Sequence, residues 1–249
     1  MIKSLPSPVI IAHRGASAHA PENTISAMLL AIEQGADAIE IDVQLSADKN
    51  VVVIHDTTLD RTTNGKGRVR DASLSYLQSL NAGHAYGPAF PNEKIPTLES
   101  VFDTLGSSTY YNIELKTNQT SLGELPKIVF KIIEKHKLED HVIISSFNPI
   151  YLNKINKISP ELWKGLLIYR PVYLGLIKIF SFLSSNYKSL HISLKSLRAK
   201  TVKFLQQHGK LVFAYTVNHP KDILIAKRCG IDGFITDDPA QVRRILSKD

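Results

Sequence analysis

Three carboxylates and two histidines lie where a folded chain would bring them together. Glu40 and Asp42 are two residues apart in Ala38-Ile39-Glu40-Ile41-Asp42-Val43-Gln44-Leu45, and His55 closes the run Val51-Val52-Val53-Ile54-His55. Strand side chains alternate, so Glu40 and Asp42 share one face, while Ile39, Ile41 and Val43 take the other. The link Ser46-Ala47-Asp48-Lys49-Asn50 is too short for a parallel crossover, so the two runs read as a hairpin. Folded about Asp48, that hairpin carries His55 back to the level of Asp42. A third run, Tyr110-Tyr111-Asn112-Ile113-Glu114-Leu115-Lys116, puts Asn112, Glu114 and Lys116 on one face. His13 ends the apolar run Val9-Ile10-Ile11-Ala12 and is followed by Arg14-Gly15, where glycine permits a sharp turn.

Three carboxylates aimed into one space repel unless they are protonated or bridged by a cation. Oxygen-only ligands suit Mg2+ or Ca2+ better than zinc. Arg14 and Lys116 add positive charge for the phosphate oxygens that such a cation polarises. Two histidines at separate strand ends divide proton transfer, one taking a proton from the nucleophile and the other giving one to the leaving alkoxide. The chemistry this set suits is phosphodiester cleavage.

Strands and helices alternate along the 249 residues. After the first strand, Ile25, Met28, Leu29 and Ile32 form the apolar stripe of a helix, with Asn23 as its expected N-cap and Gly35 as its stop. Further helices are expected from Leu98 with Thr97 as cap, from Leu122 to His136, near 150–155, over 200–208, over 221–228 and from Pro239. Further strands are expected at Val142–Phe147, Leu162–Ile168, Leu190–Ser193, Leu211–Val217 and Gly233–Thr236. This rhythm predicts parallel strands with helical crossovers, and at this length a closed (β/α)8 TIM barrel, with an open doubly wound sheet as the fold alternative. Nine strand runs rather than eight are counted, and the return arm of the hairpin explains the ninth. Between 57 and 95 the periodicity fades and turn signals crowd in, among them Asn64-Gly65, Gly87-Pro88 and Pro91. That stretch reads as an insertion of about forty residues with a short helix at Leu74, Leu77 and Leu80, within one domain spanning 1–249.

The single Cys229 excludes an internal disulfide and a cysteine-built zinc site. A net charge of +7, spread along the chain, suits a small anionic substrate and indicates nucleic acid only weakly. The N-terminus lacks the apolar core of a signal peptide, so a cytoplasmic location is expected. No run reaches the ~20 apolar residues of a membrane span. The aromatic and apolar segment 172–183 reads as an amphipathic helix packed on the barrel, with contact to a membrane surface as the alternative. Sequence assigns no oligomeric state.

The chain resembles the glycerophosphodiester phosphodiesterases of the bacterial cytoplasmic type. The resemblance rests on His13-Arg14-Gly15-Ala16, Pro21-Glu22-Asn23-Thr24, Glu40-Ile41-Asp42-Val43, His55-Asp56, Leu59-Asp60-Arg61-Thr62-Thr63-Asn64-Gly65, Ile95-Pro96-Thr97-Leu98-Glu99, Asn112-Ile113-Glu114-Leu115-Lys116, Ser145-Ser146-Phe147 and Gly233-Phe234-Ile235-Thr236-Asp237. It implies the barrel with a small insertion after the His55 strand. It also implies one divalent cation, Mg2+ or Ca2+, on Glu40, Asp42 and Glu114, with His13 and His55 as the acid/base pair and Arg14 and Lys116 as phosphate-binding cations. The implied reaction converts glycerophosphocholine, glycerophosphoethanolamine and similar diesters to sn-glycerol 3-phosphate and an alcohol. Phe147 and Tyr215 are expected to line the substrate. Many members carry tryptophan where this chain has Tyr215, which bears on leaving-group preference. The rival readings are a lysophospholipase D or sphingomyelinase-D-like activity on the same barrel and, more remotely, a non-catalytic phosphate- or nucleic-acid-binding module.

Overall fold

The computed structural model describes residues 5–117, 123–169 and 186–247. Among these, nine strands and eight α-helices follow one another in the expected order. They are β1 (Val9–His13), α1 (Ile25–Glu33), β2 (Ala38–Leu45), β3 (Val51–Val53), α2 (Leu74–Ser79), α3 (Leu98–Leu105), β4 (Tyr110–Leu115), α4 (Glu124–His136) and β5 (Val142–Ser146). There follow α5 (Pro149–Ile158), β6 (Trp163–Ile168), β7 (Ser189–Ser193), α6 (Ala199–Gln207), β8 (Leu211–Tyr215), α7 (Pro220–Arg228), β9 (Gly233–Thr236) and α8 (Pro239–Leu246). The segment 172–183 lies outside the described residues, and so does the expected start of α4 at Leu122.

Eight of the strands run parallel, and β1 pairs with both β9 and β2, which closes the sheet into a barrel. β3 runs antiparallel to β2 and is the extra strand that the hairpin requires. β2 changes partner along one edge: β1 pairs with it as far as His13 opposite Glu40, and β3 takes over from Val53 opposite Val43. The opposite edge pairs with β4 from Ala38 to Val43, with Asp42 level with Glu114. β3 ends at Val53, and the Ile54 N–H donates to the Asp42 carbonyl at 2.9 Å. Ile54, not His55, therefore lies opposite Asp42, and His55 stands one residue beyond the ladder. The fold about Asp48 is as expected, but the level is displaced by one position.

Outward-facing strand residues such as Ile10, Ile39, Ile41, Ile113 and Ile144 are buried under the helices. Each such side chain contributes about 1.5–3 kcal/mol relative to exposure. The barrel interior is graded. Its floor is filled by Val9, Ile11, Ala38, Ile143, Trp163, Phe213 and Ile235, with Ser189 and His191 set among them, and the charged side chains gather toward the C-terminal strand ends. That end is where (β/α)8 enzymes place their chemistry.

Helix starts follow local chemistry, with one correction. Thr97 caps α3 through a reciprocal box with Ser100. Thr24, not Asn23, caps α1: its Oγ1 accepts from the Ala27 N–H, while Asn23 adopts a left-handed conformation (φ 60°) that turns its amide elsewhere. The turn before it needs Gly15, because φ is +83° and a Cβ there would lie 2.6 Å from the Ala27 backbone.

The connection from Val53 to α3 packs around a small core of its own, formed by Val52, Ile54, Leu59, Val69, Leu77, Leu80, Ala82 and Ile95. Gly65 lets its loop close on Leu80, whose Cδ1 would be 2.5 Å from a Cβ.

Candidate active site

Glu40, Asp42 and Glu114 point into the barrel mouth from β2 and β4, and one oxygen from each lies within 4.8 Å of the others. All three are buried. Burial, reinforced by the charges of Asp42 and Glu114, pushes the Glu40 carboxyl well above the usual range. Burial also raises Glu114, with Asp42 adding to it and Lys116 opposing. Asp42 goes the other way: burial is outweighed by Lys116 and Arg14, which hold it well below the ordinary value. Among the described residues Asp42 Oδ1 accepts no hydrogen bond, and Lys116 Nζ faces it at 3.1 Å as an ion pair. Three crowded buried carboxylates, one with an oxygen that takes no hydrogen bond among the described residues, are a donor set that fits a hard divalent cation.

Two cations flank the triad. Lys116 Nζ donates to Glu114 Oε1 at 2.7 Å. The Arg14 backbone N–H donates to Glu40 Oε2 at 2.9 Å, and its guanidinium Nε lies 3.3 Å from Asp42 Oδ2. Arg14 reaches the mouth because its own φ of 59° begins the turn that Gly15 completes. Asn23 completes the seat of Asp42, donating to Oδ2 at 2.9 Å and accepting from the Asp42 N–H at 3.2 Å.

Both histidines are backed by an aspartate. His13 Nδ1 lies 2.6 Å from Asp237 Oδ1. Asp237 is also held by Ser17 Oγ at 3.1 Å and Asn218 Nδ2 at 2.5 Å, and it titrates low: burial opposes this and the bonds from His13 outweigh it. His55 Nδ1 lies 2.7 Å from Asp56 Oδ1. Arg61 holds Asp56 down to about 2, and burial lowers His55. An ionised carboxylate only accepts, so each imidazole carries a hydrogen on Nδ1 and leaves Nε2 to exchange a proton.

A cavity of about 450 Å3 opens on the His55 side, lined by His55, Asp56, Thr57, Glu114, Lys116 and Phe147 among others. Phe147 is 43% exposed and lines this cavity. Tyr215 is not among the lining residues. Its ring backs Phe147 edge-on at 6.2 Å, and its buried hydroxyl has no partner among the described residues.

Sequence reasoning gave no role to Glu22, Asn23 (beyond a cap), Gln44, Asp56, Arg61, Asn218 or Asp237. Most of these stand inside the stretches that carry the family resemblance. Gln44 shares the inward face of Glu40 and Asp42, and its Nε2 donates to the carbonyls of Ile54, His55 and Asp56 at 2.9, 3.0 and 2.7 Å.

The sequence matches the model of the glycerophosphoryl diester phosphodiesterase family over residues 13–241. It belongs to that family. A glycerophosphodiester phosphodiesterase of Caldanaerobacter subterraneus subsp. tengcongensis is 39% identical over 242 residues, covering 96% of this chain and 98% of its own. One from Bacillus subtilis is 34% identical over 250 residues, covering 92% and 83%. Among solved structures, an Oleispira antarctica phosphodiesterase in complex with the product sn-glycerol-3-phosphate superposes with a TM-score of 0.88 at 29% identity, covering 97% of both chains. The chain is therefore an enzyme of phosphodiester hydrolysis on a TIM barrel, which sets aside the non-catalytic reading. No helix among the described residues is long and apolar enough to cross a membrane.

Proposed function

We propose that the enzyme hydrolyses small glycerophosphodiesters, such as glycerophosphocholine and glycerophosphoethanolamine, to sn-glycerol 3-phosphate and the free alcohol in the cytoplasm. In this reading Glu40, Asp42 and Glu114 hold one divalent cation, Mg2+ or Ca2+, and His13 and His55 are the acid/base pair. The observation that carries it is the convergence of a buried carboxylate triad, within 4.8 Å, with two histidines that each face an aspartate through Nδ1. The product held by the Oleispira relative supports it.

The cation, when bound, supplies Lewis-acid polarisation of the phosphate and offsets its charge. The remaining work falls to side chains. Arg14 and Lys116, both facing the triad, attract the phosphate and orient it. One imidazole Nε2 removes the proton of the attacking hydroxyl, and the other protonates the departing alkoxide. Asp237 and Asp56 accept from each Nδ1–H, so that Nε2 is bare on the ring acting as base and carries the second proton of an imidazolium on the ring acting as acid. Phe147 and Leu115 give a mainly polar cavity an apolar patch, a lining suited to a small head group.

Release of glycerol 3-phosphate across head groups, together with release of free choline from both glycerophosphocholine and lysophosphatidylcholine, each measured with a coupled assay, tests the reading. Turnover of glycerophosphocholine well above that of lysophosphatidylcholine, abolished by chelator and restored by Mg2+ or Ca2+, is the expected result. Preference for the lysolipid would instead support the lysophospholipase D reading, and turnover in chelator would remove the cation from the scheme.

A further inference from the structure

Arg61 lies in the insertion, not in the barrel, and half of its side chain is exposed. Its guanidinium nevertheless grips two carboxylates at once. Nε and Nη2 donate to Asp56 Oδ2 and Oδ1 at 2.6 and 3.1 Å, while Nη1 and Nη2 donate to Glu22 Oε2 and Oε1 at 2.7 and 2.8 Å. Each carboxylate then passes the contact on. Asp56 faces His55 Nδ1 at 2.7 Å, and Glu22 accepts from Arg14 Nη1 at 2.9 Å. The result is a continuous row, His55–Asp56–Arg61–Glu22–Arg14.

We infer that Arg61 and Glu22 are positioning residues that lock the acid/base His55 and the phosphate-binding Arg14 into one unit, so that proton transfer and phosphate placement are set together. The inference rests on the roles proposed above for His55 and Arg14. Neither Arg61 nor Glu22 lines the catalytic cavity, so they act through their neighbours.

The competing explanation is that the row merely staples the insertion to the barrel. That task is already done by other contacts. The insertion has its own apolar core, the Ala47 N–H donates to the Ala72 carbonyl at 2.9 Å, and Tyr86 Oη donates to the Ser17 carbonyl at 2.9 Å. Exposed ion pairs add little stability, ~0–1 kcal/mol each. Two paired forks on one guanidinium instead fix orientation, and a misplacement of about 1 Å at a reacting group costs ~100-fold in rate.

Steady-state kinetics on the metal-loaded enzyme separate the two arms. Asp56→Asn is expected to lower kcat with KM nearly unchanged, Glu22→Gln to raise KM with a smaller effect on kcat, and Arg61→Ala to do both, by roughly 10- to 100-fold in kcat/KM. In the Asp56→Asn background, Arg61→Ala should lose its effect on kcat and keep its effect on KM. Added guanidinium should restore part of the activity of Arg61→Ala. Arg61→Lys keeps the charge without the fork and should stay impaired. If Arg61→Ala fails to fold, Arg61→Lys and the two carboxylate variants carry the same comparison. Kinetic constants within twofold of the parent, or an equal loss in every variant that tracks a fall in Tm, would overturn the inference. Wild-type turnover in His55→Ala would overturn the underlying acid/base reading, whatever Arg61 does.

Discussion

The two histidines of the mouth reach the same arrangement, an imidazole Nδ1 on an aspartate oxygen, from opposite ends of the chain's architecture. His13 sits on a barrel strand and finds Asp237, 224 residues away, because β1 closes on β9. His55 uses its immediate neighbour, Asp56, at the point where the hairpin leaves the barrel. The first dyad is tied to barrel closure through the β1–β9 ladder. The second depends on Gln44 beneath it and on Arg61 and Glu22 beside it. Equal chemistry can thus rest on unequal foundations, since local opening needs far less free energy than global unfolding.

The largest effect that tests this pairing is loss of either imidazole. His13→Ala and His55→Ala should each reduce kcat by ~10²–10⁴-fold while binding of Mg2+ or Ca2+, measured by calorimetry, stays intact. A substrate with a p-nitrophenolate leaving group needs no proton on departure, so it should spare whichever variant lacks the general acid. Equal loss in both variants on that substrate would break the division of labour.

A smaller effect separates the supports. Asp237→Asn and Asp56→Asn should both cut kcat, by roughly 10–100-fold, but differ in what else they loosen. Hydrogen exchange over residues 57–95 should quicken in Asp56→Asn and stay unchanged in Asp237→Asn. Matching exchange profiles would mean that the two dyads are equally anchored.

The smallest effect comes from a third histidine that has no carboxylate. His191 is fully buried within β7; Ser189 Oγ lies 3.1 Å from its Nε2, and its Nδ1 has no partner among the described residues. Burial pushes it down to about 3. Below the ordinary value near 6.5, the unfolded chain therefore binds a proton that the folded chain refuses, and stability falls as pH drops from about 6.5 toward 3. His191→Gln should remove a slope of about 1.4 kcal/mol per pH unit in that window, read from urea midpoints between pH 6.5 and 5. An unchanged slope would show that His191 is protonated inside the barrel and that an aspartate is not what distinguishes the other two.

Much of this was legible before any coordinates. Alternation in β2 placed Glu40 and Asp42 together, and the short link named the hairpin that accounts for the ninth strand. The strand-helix rhythm pointed to the barrel that brings Glu114 and Lys116 alongside. What stayed hidden follows from physics that a local pattern does not carry. Asp237 meets His13 only through closure, which no spacing encodes. Arg61 sits where periodicity is absent, so nothing marked its direction. Asn23 and Thr24 are both good helix caps, and only the left-handed turn at Asn23 shows which one the helix takes and frees the other for Asp42.

The change of partner along β2 has a mechanical consequence. Between the last bond to β1 at Glu40 and the first to β3 at Val43, the backbone of Asp42 is held by Asn23 Oδ1 on its N–H and by the Ile54 N–H on its carbonyl. Asp42 therefore sits on a seam, with the barrel ending on one side of it and the insertion beginning on the other. The strand that leads into the insertion is thus bonded, at Ile54, to the very residue that carries one of the three carboxylates.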